Sequence, residues 1–438
     1  MIKKLCVVFA VIFALNVQAQ EGVISPYSFF GIGTLKFKGT AENRAMGGIS
    51  VYSDSIHVNL RNPASYGGEN LKYYNEEQRP VIFTVGGSHS DVTLKTDDSK
   101  DNGGATTFDY LAISIPIGKL GFGFGVMPFT RVGYKLEAEG MVADTMLVTN
   151  RYRGEGGVNR AFLSFGYQVA KDFRLGVDAN YNFGNIRNSS IEFVYDDDGF
   201  PVQYQSRESN RSDLRGIKFN IGAIYSPMIT DKLQLTSTFT YSPKANLNSD
   251  NQRAFETIVI NEFSGQEVVV NDIIADLASE GLDKTTLTLP ARTSVGLGIG
   301  KPRVWFLGAE YTFVKTSDYS NNVFSIENQS FEDASTFALG GFIIPQYRSL
   351  TNYWRRVVYR AGMRYENTGI KINNESINEF GISFGVGLPM GGAFSNVNMG
   401  LEVGKRGTTK QNLVQENFVN FHLSISLNDR WFQKTKIN

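Results

Sequence analysis

Few residues in this chain could do chemistry. It has three histidines, His57, His89 and His422. His422 lies two positions before Ser424, which on a strand puts an imidazole and a hydroxyl on one face, the pairing that activates a serine nucleophile. Phe421, Leu423, Ile425 and Leu427 occupy the opposite phase. If that apolar set meets lipid, the pair points inward, and no catalytic role is expected of it. Asp196-Asp197-Asp198-Gly199 resembles the start of a calcium loop, but its glycine comes too soon and the later ligands are absent. A tight surface turn is expected there. No phosphate-binding glycine loop and no His/Cys cluster with metal spacing occurs. No catalytic residue, metal or cofactor is therefore expected. Lys and Arg number 43 and Asp and Glu 43, with no basic run, so nucleic-acid binding is not expected either.

A second set of charges is placed more informatively. Arg174, Asp178, Lys218, Glu310, Arg360, Arg364 and Glu402 each alternate with apolar neighbours. On strands that cross a membrane they would all face a lumen. Two roles are open for them: a salt-bridge network that holds a plug, or the cationic end of an apolar pocket suited to an amphipathic carboxylate.

The elements that must position these charges are strands. Phe173, Leu175, Val177, Ala179, Tyr181 and Phe183 alternate with Arg174, Gly176, Asp178, Asn180 and Asn182; Leu120, Phe122, Phe124 and Val126 alternate with glycines. Helices do not produce a period of two. Fourteen such segments are expected, centred near Phe83, Ile113, Phe124, Phe165, Val177, Ile221, Leu235, Leu297, Ala309, Leu339, Tyr359, Phe384, Leu401 and Ile425. Phe (32), Tyr (20) and Gly (45) are abundant and Pro (12) is scarce, as suits a transmembrane antiparallel β-barrel, all-β, whose apolar residues fill alternate positions. Tight turns are expected at Gly118-Lys119, Lys171-Asp172, Thr230 to Lys232, Lys301-Pro302 and Gly391-Gly392, with a longer tenth turn from Gln346 to Trp354. Long polar loops are expected on the other side, at Lys95 to Gly104, Glu137 to Gly156, Arg187 to Ser212, Lys244 to Thr286 and Ser317 to Asp333. In outer-membrane barrels the short side faces the periplasm. Within the longest loop, Asn271 to Gly281 reads as a short helix, and loop 244–286 is a candidate surface for a protein partner.

The N-terminus reads as an export signal: Lys3-Lys4, an apolar Leu5 to Leu15, and Val17-Gln18-Ala19 before the cut. The one cysteine, Cys6, would leave with it, and the mature chain would hold no disulfide or thiol chemistry. The expected organisation is a signal over 1–19, a lumenal plug over 20–75 and a barrel wall over 76–438. At the other end, Trp431 and Phe432 close an aromatic-ended final strand and suit a membrane interface.

The plug expectation rests on Phe37 to Tyr66, rich in Gly, Ala, Ser and Asn and lacking any sustained period. Met46-Gly47-Gly48, Asp54-Ser55 and Asn62-Pro63-Ala64 follow in the order of a known hatch. In this the chain resembles the FadL/TodX family of outer-membrane transporters. The resemblance implies a fourteen-stranded barrel with an N-terminal hatch, and passive uptake of a hydrophobic or amphipathic small molecule resembling a long-chain fatty acid. It also leaves open a non-transport role, since the family includes barrels that serve as subunits of secretion or assembly complexes. Outer-membrane lipid is the surrounding partner in either case.

Overall fold

The computed structural model describes residues 23–68, 79–142, 146–196, 198, 200–261, 266–319, 329–390 and 395–429. The export signal, Trp431-Phe432 and the Gly391-Gly392 turn lie outside them. Fourteen antiparallel wall strands run in chain order: β1 Val81–Lys95, β2 Lys100–Ile117, β3 Leu120–Pro128 continued as Thr130–Val142, β4 Met146–Ala170, β5 Phe173–Val194, β6 Gln205–Tyr225, β7 Gln234–Ser242 continued as Ala245–Ile260, β8 Lys284–Leu289 continued as Arg292–Lys301, β9 Trp305–Val314, β10 Ala334–Ile343, β11 Val358–Ile372, β12 Glu375–Met390, β13 Ser395–Arg406 and β14 Gln415–Asp429. β14 pairs with β1 from Val81↔Asp429 to Lys95↔Gln415, which closes the sheet. A closed sheet is the strand-built solution for a membrane, where an open ladder edge is costly. All fourteen centres expected from the periodicity fall in these strands. The three split strands break beside Pro128, Pro243 and Pro290, where the missing amide cannot serve the ladder.

The two faces separate as the alternation requires. Leu175, Val177, Phe219, Ile221, Leu297, Phe384 and Phe421 are exposed on the outside, while Arg174, Asp178, Lys218, Glu402, His422 and Ser424 are buried inside. Val177 is 41% exposed and its neighbour Asp178 7%. A cysteine at Val177 is accordingly expected to react with a lipid-soluble probe and one at Asp178 not to. Val177→Arg, on the lipid face, is expected to cost about 2–4 kcal/mol, read as a lower denaturant midpoint of the folded barrel in detergent. Equal labelling at the two sites would overturn the register.

One end of the barrel carries short turns, including Gly118-Lys119, Lys171-Asp172 and Pro302 to Val304. The longer tenth connection, 344–357, carries a 3₁₀ turn at Tyr353–Arg356. The other end differs from the loops expected there. The 95–104 stretch is a tight hairpin, and 317–333 lies partly outside the described residues. β3 to β7 extend into the stretches 137–156, 187–212 and 244–286, and β6 pairs with β7 out to Ile258↔Gln205. The polar residues of these stretches alternate in paired strands above the membrane, a pattern that reads as loop when only apolar alternation is sought. The helix expected at Asn271 to Gly281 is absent. Glu267–Ile274 is instead a strand on the Ala254–Ile260 part of β7, followed by turns. Val268, Val269, Val270, Ile273 and Ile274 are β-branched and favour a pleated conformation, which outweighs the helical spacing of Ile273, Ile274 and Leu277.

Candidate functional site

The lumen is filled by the N-terminal segment, residues 23–68. Its only α-helix, α1 (Ala41–Arg44), is one turn long, capped by Thr40 and Asn43 in a reciprocal capping box. A 3₁₀ turn follows at Pro63–Tyr66, where Asn62 Oδ1 accepts the Ala64 amide at 3.1 Å and Pro63 takes the first-turn position. The segment has little regular structure of its own. It is ordered by the wall.

Two kinds of wall residue hold it. The first are glycines in the inward phase. A Cβ on Gly176 would lie 2.3 Å from the Pro63 carbonyl carbon, on Gly121 1.9 Å from the Tyr66 oxygen, and on Gly362 2.2 Å from the Met46 carbonyl carbon. The backbone of Asn62 to Gly67 thus lies directly on β3 to β6, and Met46-Gly47 on β10 and β11. Gly47, at φ 69°, donates its amide to Ser383 Oγ at 2.8 Å, and any Cβ there would meet the Met363 and Leu339 backbone within 3 Å. The sequence reading passed over these wall glycines. Their signal was the Gly-apolar alternation itself, an inward face without side chains, which lets another backbone approach.

The second kind are charges. Glu310 on β9 accepts from the Ser50 amide and hydroxyl, both at 2.7 Å, and from Arg61 Nη2 at 2.5 Å. Glu379 on β12 binds Lys38 at 2.7 Å, Arg406 at 2.5 Å, and Arg364. Arg364 also binds Glu402 at 2.7 Å; Lys38 binds Glu366 at 2.9 Å, Arg406 reaches Glu416 at 3.4 Å, and Arg44 reaches Glu402 at 3.5 Å. Lys38, Arg44 and Arg61 come from the plug and the acids from the wall. Glu379 shares the inward phase of Ile377 and Gly381 and was legible as a lumen charge; the plug cations sit in a segment with no period to place them.

The seven inward charges singled out from the sequence fall into separate groups. Arg364 and Glu402 share the network, and Glu310 holds the plug beside it. Arg360 donates to Asn398 at 3.0 Å, next to Glu42, which accepts from the same Asn398 at 2.6 Å. Arg174 donates to Ser53 Oγ at 3.2 Å. Asp178 accepts from Asn220 at 3.1 Å, and Lys218 donates to the Pro290 carbonyl at 2.6 Å; these two face a cavity. His422 is buried with Nε2 3.6 Å from Glu402, facing the lumen. Of the hatch residues, Met46 and Ala64 are buried against the wall and Ser55 is buried in the segment. Asp54 binds the amides of Ile56 and His57 at 3.0 and 2.8 Å and His57 Nδ1 at 2.8 Å.

That last pair is expected to give the plug a pH dependence. Burial pushes the His57 imidazole down, but Asp54, with Glu42 behind it, pushes it up further, and the net shift is upward. Burial likewise pushes Asp54 up, and His57 with the local amides draws it down further, to a net fall. The imidazolium contribution is complete below about 6.5, the unfolded value, and is lost as pH rises through the higher folded value. The carboxylate contribution is complete above about 3.9 and is lost as pH falls through the lower folded value. Between the two the pair holds best. Raising pH from about 6.5 is expected to increase protease cutting of the 52–58 stretch, and His57→Gln to flatten that dependence. A profile that is flat in the parent protein would remove this role from the pair.

Two cavities flank the plug. One of about 290 Å³, toward the long-strand end, combines Phe30, Leu35, Phe37, Leu60, Met127 and Phe129 with Arg160, Asp178, Lys218 and Arg292. The other, about 270 Å³, lies toward the short turns and includes Tyr52, His57, Phe342, Tyr347 and Arg360. Above the first, Ile32 packs with Val132, Tyr134, Val158, Ile186, Leu214, Leu247 and Leu287, an apolar closure of that end. The N-terminal segment also lies in the gap between β2 and β3. β2 and β3 pair only from Leu111↔Val126 to Ile117↔Leu120. Beyond that, Thr34 and Leu35 pair with Arg131 and Thr130, the Ser25 amide reaches the Gly133 carbonyl at 3.0 Å, and Ile24 abuts Gly103 of β2.

Among the described residues no group of three or more His, Cys, Asp or Glu side chains could hold a metal. The arrangement binds, clamps and closes.

Solved structures share this fold. The toluene transporter TodX of Pseudomonas putida matches at 15% identity over 92% of this chain and 100% of that one, with a TM-score of 0.56. A Pseudomonas aeruginosa FadL homologue matches at 13% identity over 91% and 99%, TM-score 0.56, and the Ralstonia pickettii toluene transporter TbuX at 16% over 91% and 100%, TM-score 0.53. At these identities the likeness is one of fold, and at that level the resemblance read from the sequence holds. No curated protein matches the chain by sequence. Residues 1–438 match one family throughout: with the fold of a FadL/TodX-type outer-membrane barrel, the chain belongs to the BamG family.

Proposed function

We propose that this protein is a non-transport barrel subunit of an outer-membrane β-barrel assembly (Bam) complex, with its short turns in the periplasm and its long strands outside. The observation that carries this reading is the BamG family match over the whole chain. The clamped plug, the apolar closure around Ile32 and the N-terminal segment between β2 and β3 support it, because each closes a route that a transported solute would use. The 244–286 stretch, expected as a loop and folded largely as projecting strands, is the surface for a protein partner. Affinity purification of the tagged protein from outer membranes in mild detergent tests this. Stoichiometric recovery of a barrel-assembly subunit is expected, with a lower yield of other assembled outer-membrane barrels on depletion. A barrel that purifies alone and whose loss leaves other barrels unchanged would overturn the reading.

A second reading, uptake of a hydrophobic or amphipathic small molecule, is supported by the 290 Å³ cavity, whose lining combines apolar side chains with Arg160, Lys218, Arg292 and Asp178. A co-purified amphipathic carboxylate, lost on Lys218→Met, would favour it.

A further inference from the structure

We infer that the strand Glu267–Ile274 is a docking edge to which a second protein of the assembly adds a basic β-strand; the inference rests on the subunit role proposed above. Most apolar exposure on the outer face belongs to the lipid band; the tip of the β5–β6 hairpin, with Phe200 and Tyr204, and the tenth connection, with Leu350 and Trp354, are exposed apolar loops. The exposure at Glu267–Ile274 lies outside the band too, and on a strand. Phe255, which pairs with Ile273, lies about 45 Å further along β7 than the lipid-facing Tyr241, at roughly 3.3 Å per residue. The surface between carries ion pairs such as Arg215–Asp250 at 2.9 Å and Arg211–Asp213 at 3.0 Å, which place it in water. Yet Val268, Val270, Ile273 and Ile274 are 52, 55, 64 and 74% exposed. Among the described residues the strand pairs on one side only, with Ala254–Ile260, so its other edge offers a row of backbone donors and acceptors. The edge is eight residues long, with a register shift at Val270, and an unpaired apolar edge in water is a template for another strand that natural barrels normally charge, shorten or cover.

Charge selects the occupant. From Ala254 to Asp283 the sequence has no lysine or arginine and seven acidic residues, Glu256, Glu262, Glu267, Asp272, Asp276, Glu280 and Asp283. Arg207 of β6 pairs with Glu256 at 2.5 Å and Glu267 at 2.6 Å, so the charge that a partner meets is that of Asp272, Asp276, Glu280 and Asp283. A second copy of this chain would bring the same acids to the same edge. A partner strand with alternate apolar residues and flanking lysines or arginines satisfies both the ladder and the field.

The test uses the full-length protein in its native complex. Benzoylphenylalanine replaces Val268 or Val270, the outer membranes are irradiated, and the adduct is mapped by mass spectrometry. The expected adduct joins this edge to a β-strand of a different protein with basic residues beside it. It should be lost in the exposed double variant Asp272→Lys, Glu280→Lys while the barrel remains heat-modifiable on gels. An adduct between two copies of this chain, an adduct to a loop or helix, survival of the adduct in the double variant, or no adduct from an intact complex would each overturn the inference. Purification of the barrel alone would instead overturn the subunit role on which it rests.

Discussion

Removing residues 24–66 is expected to turn a closed barrel into a conducting one. The wall does not need them to form: its fourteen strands pair with one another and β14 closes on β1. The lumen does need them, because where Met46-Gly47 and Asn62 to Gly67 rest on the wall the inward positions are glycines, which carry no side chain to replace the segment. A barrel of eight strands is filled by its own side chains, and one of sixteen to eighteen holds a water channel; fourteen strands with glycines facing inward should hold water. Planar-bilayer conductance is expected to rise from near closed to porin-like steps, and cells should become sensitive to small polar antibiotics. Removing only Phe37 to Tyr66 should give a smaller rise. It leaves Thr34-Leu35 on the edge of β3 and Ile32 in the apolar closure. Unchanged conductance in a well-inserted 24–66 deletion would show that wall and projecting-strand side chains close the lumen unaided.

The second large effect is expected at Glu379. Lys38, Arg44, Arg364 and Arg406 face Glu366, Glu379, Glu402 and Glu416, with Asp109 3.9 Å from Arg44 at the margin. Glu379 is the carboxylate shared by three of the cations and is 2% exposed. Glu379→Gln leaves one uncompensated positive charge where water cannot screen it, and breaking a buried pair in this way costs about 3–5 kcal/mol. The wall ladder is untouched, so the loss should appear as plug release: faster trypsin cutting at Arg44 and Arg61 while the barrel stays intact. Adding Lys38→Met restores neutrality and should recover much of the protection. A double-mutant cycle with no coupling between the two sites would show that the glycine contacts, not the charges, hold the plug.

The sequence alone determined the wall. An alternation of period two, repeated fourteen times, has one physical solution in lipid, a closed antiparallel barrel with the apolar phase outward. It therefore also determined that Val177 faces out and that Asp178, Glu310, Arg364 and Glu402 face in. It determined that the stretch from Phe37 to Tyr66 lacks a period of its own. Tertiary structure decided the rest. A strand shows which side a residue faces but not how far across the lumen its partner lies, so the seven inward charges read as one set and proved to be several groups. Lys38, Arg44 and Arg61 had no phase to read, because an aperiodic segment takes its conformation from what it packs against. The wall glycines carried no positive signal until a backbone was seen resting on them. At the long-strand end, polar alternation looks like loop until its pairing partner is known, and β-branched residues at helical spacing become a strand only when a neighbouring strand supplies the ladder. That neighbour, the Ala254–Ile260 part of β7, is what makes Glu267–Ile274 an edge.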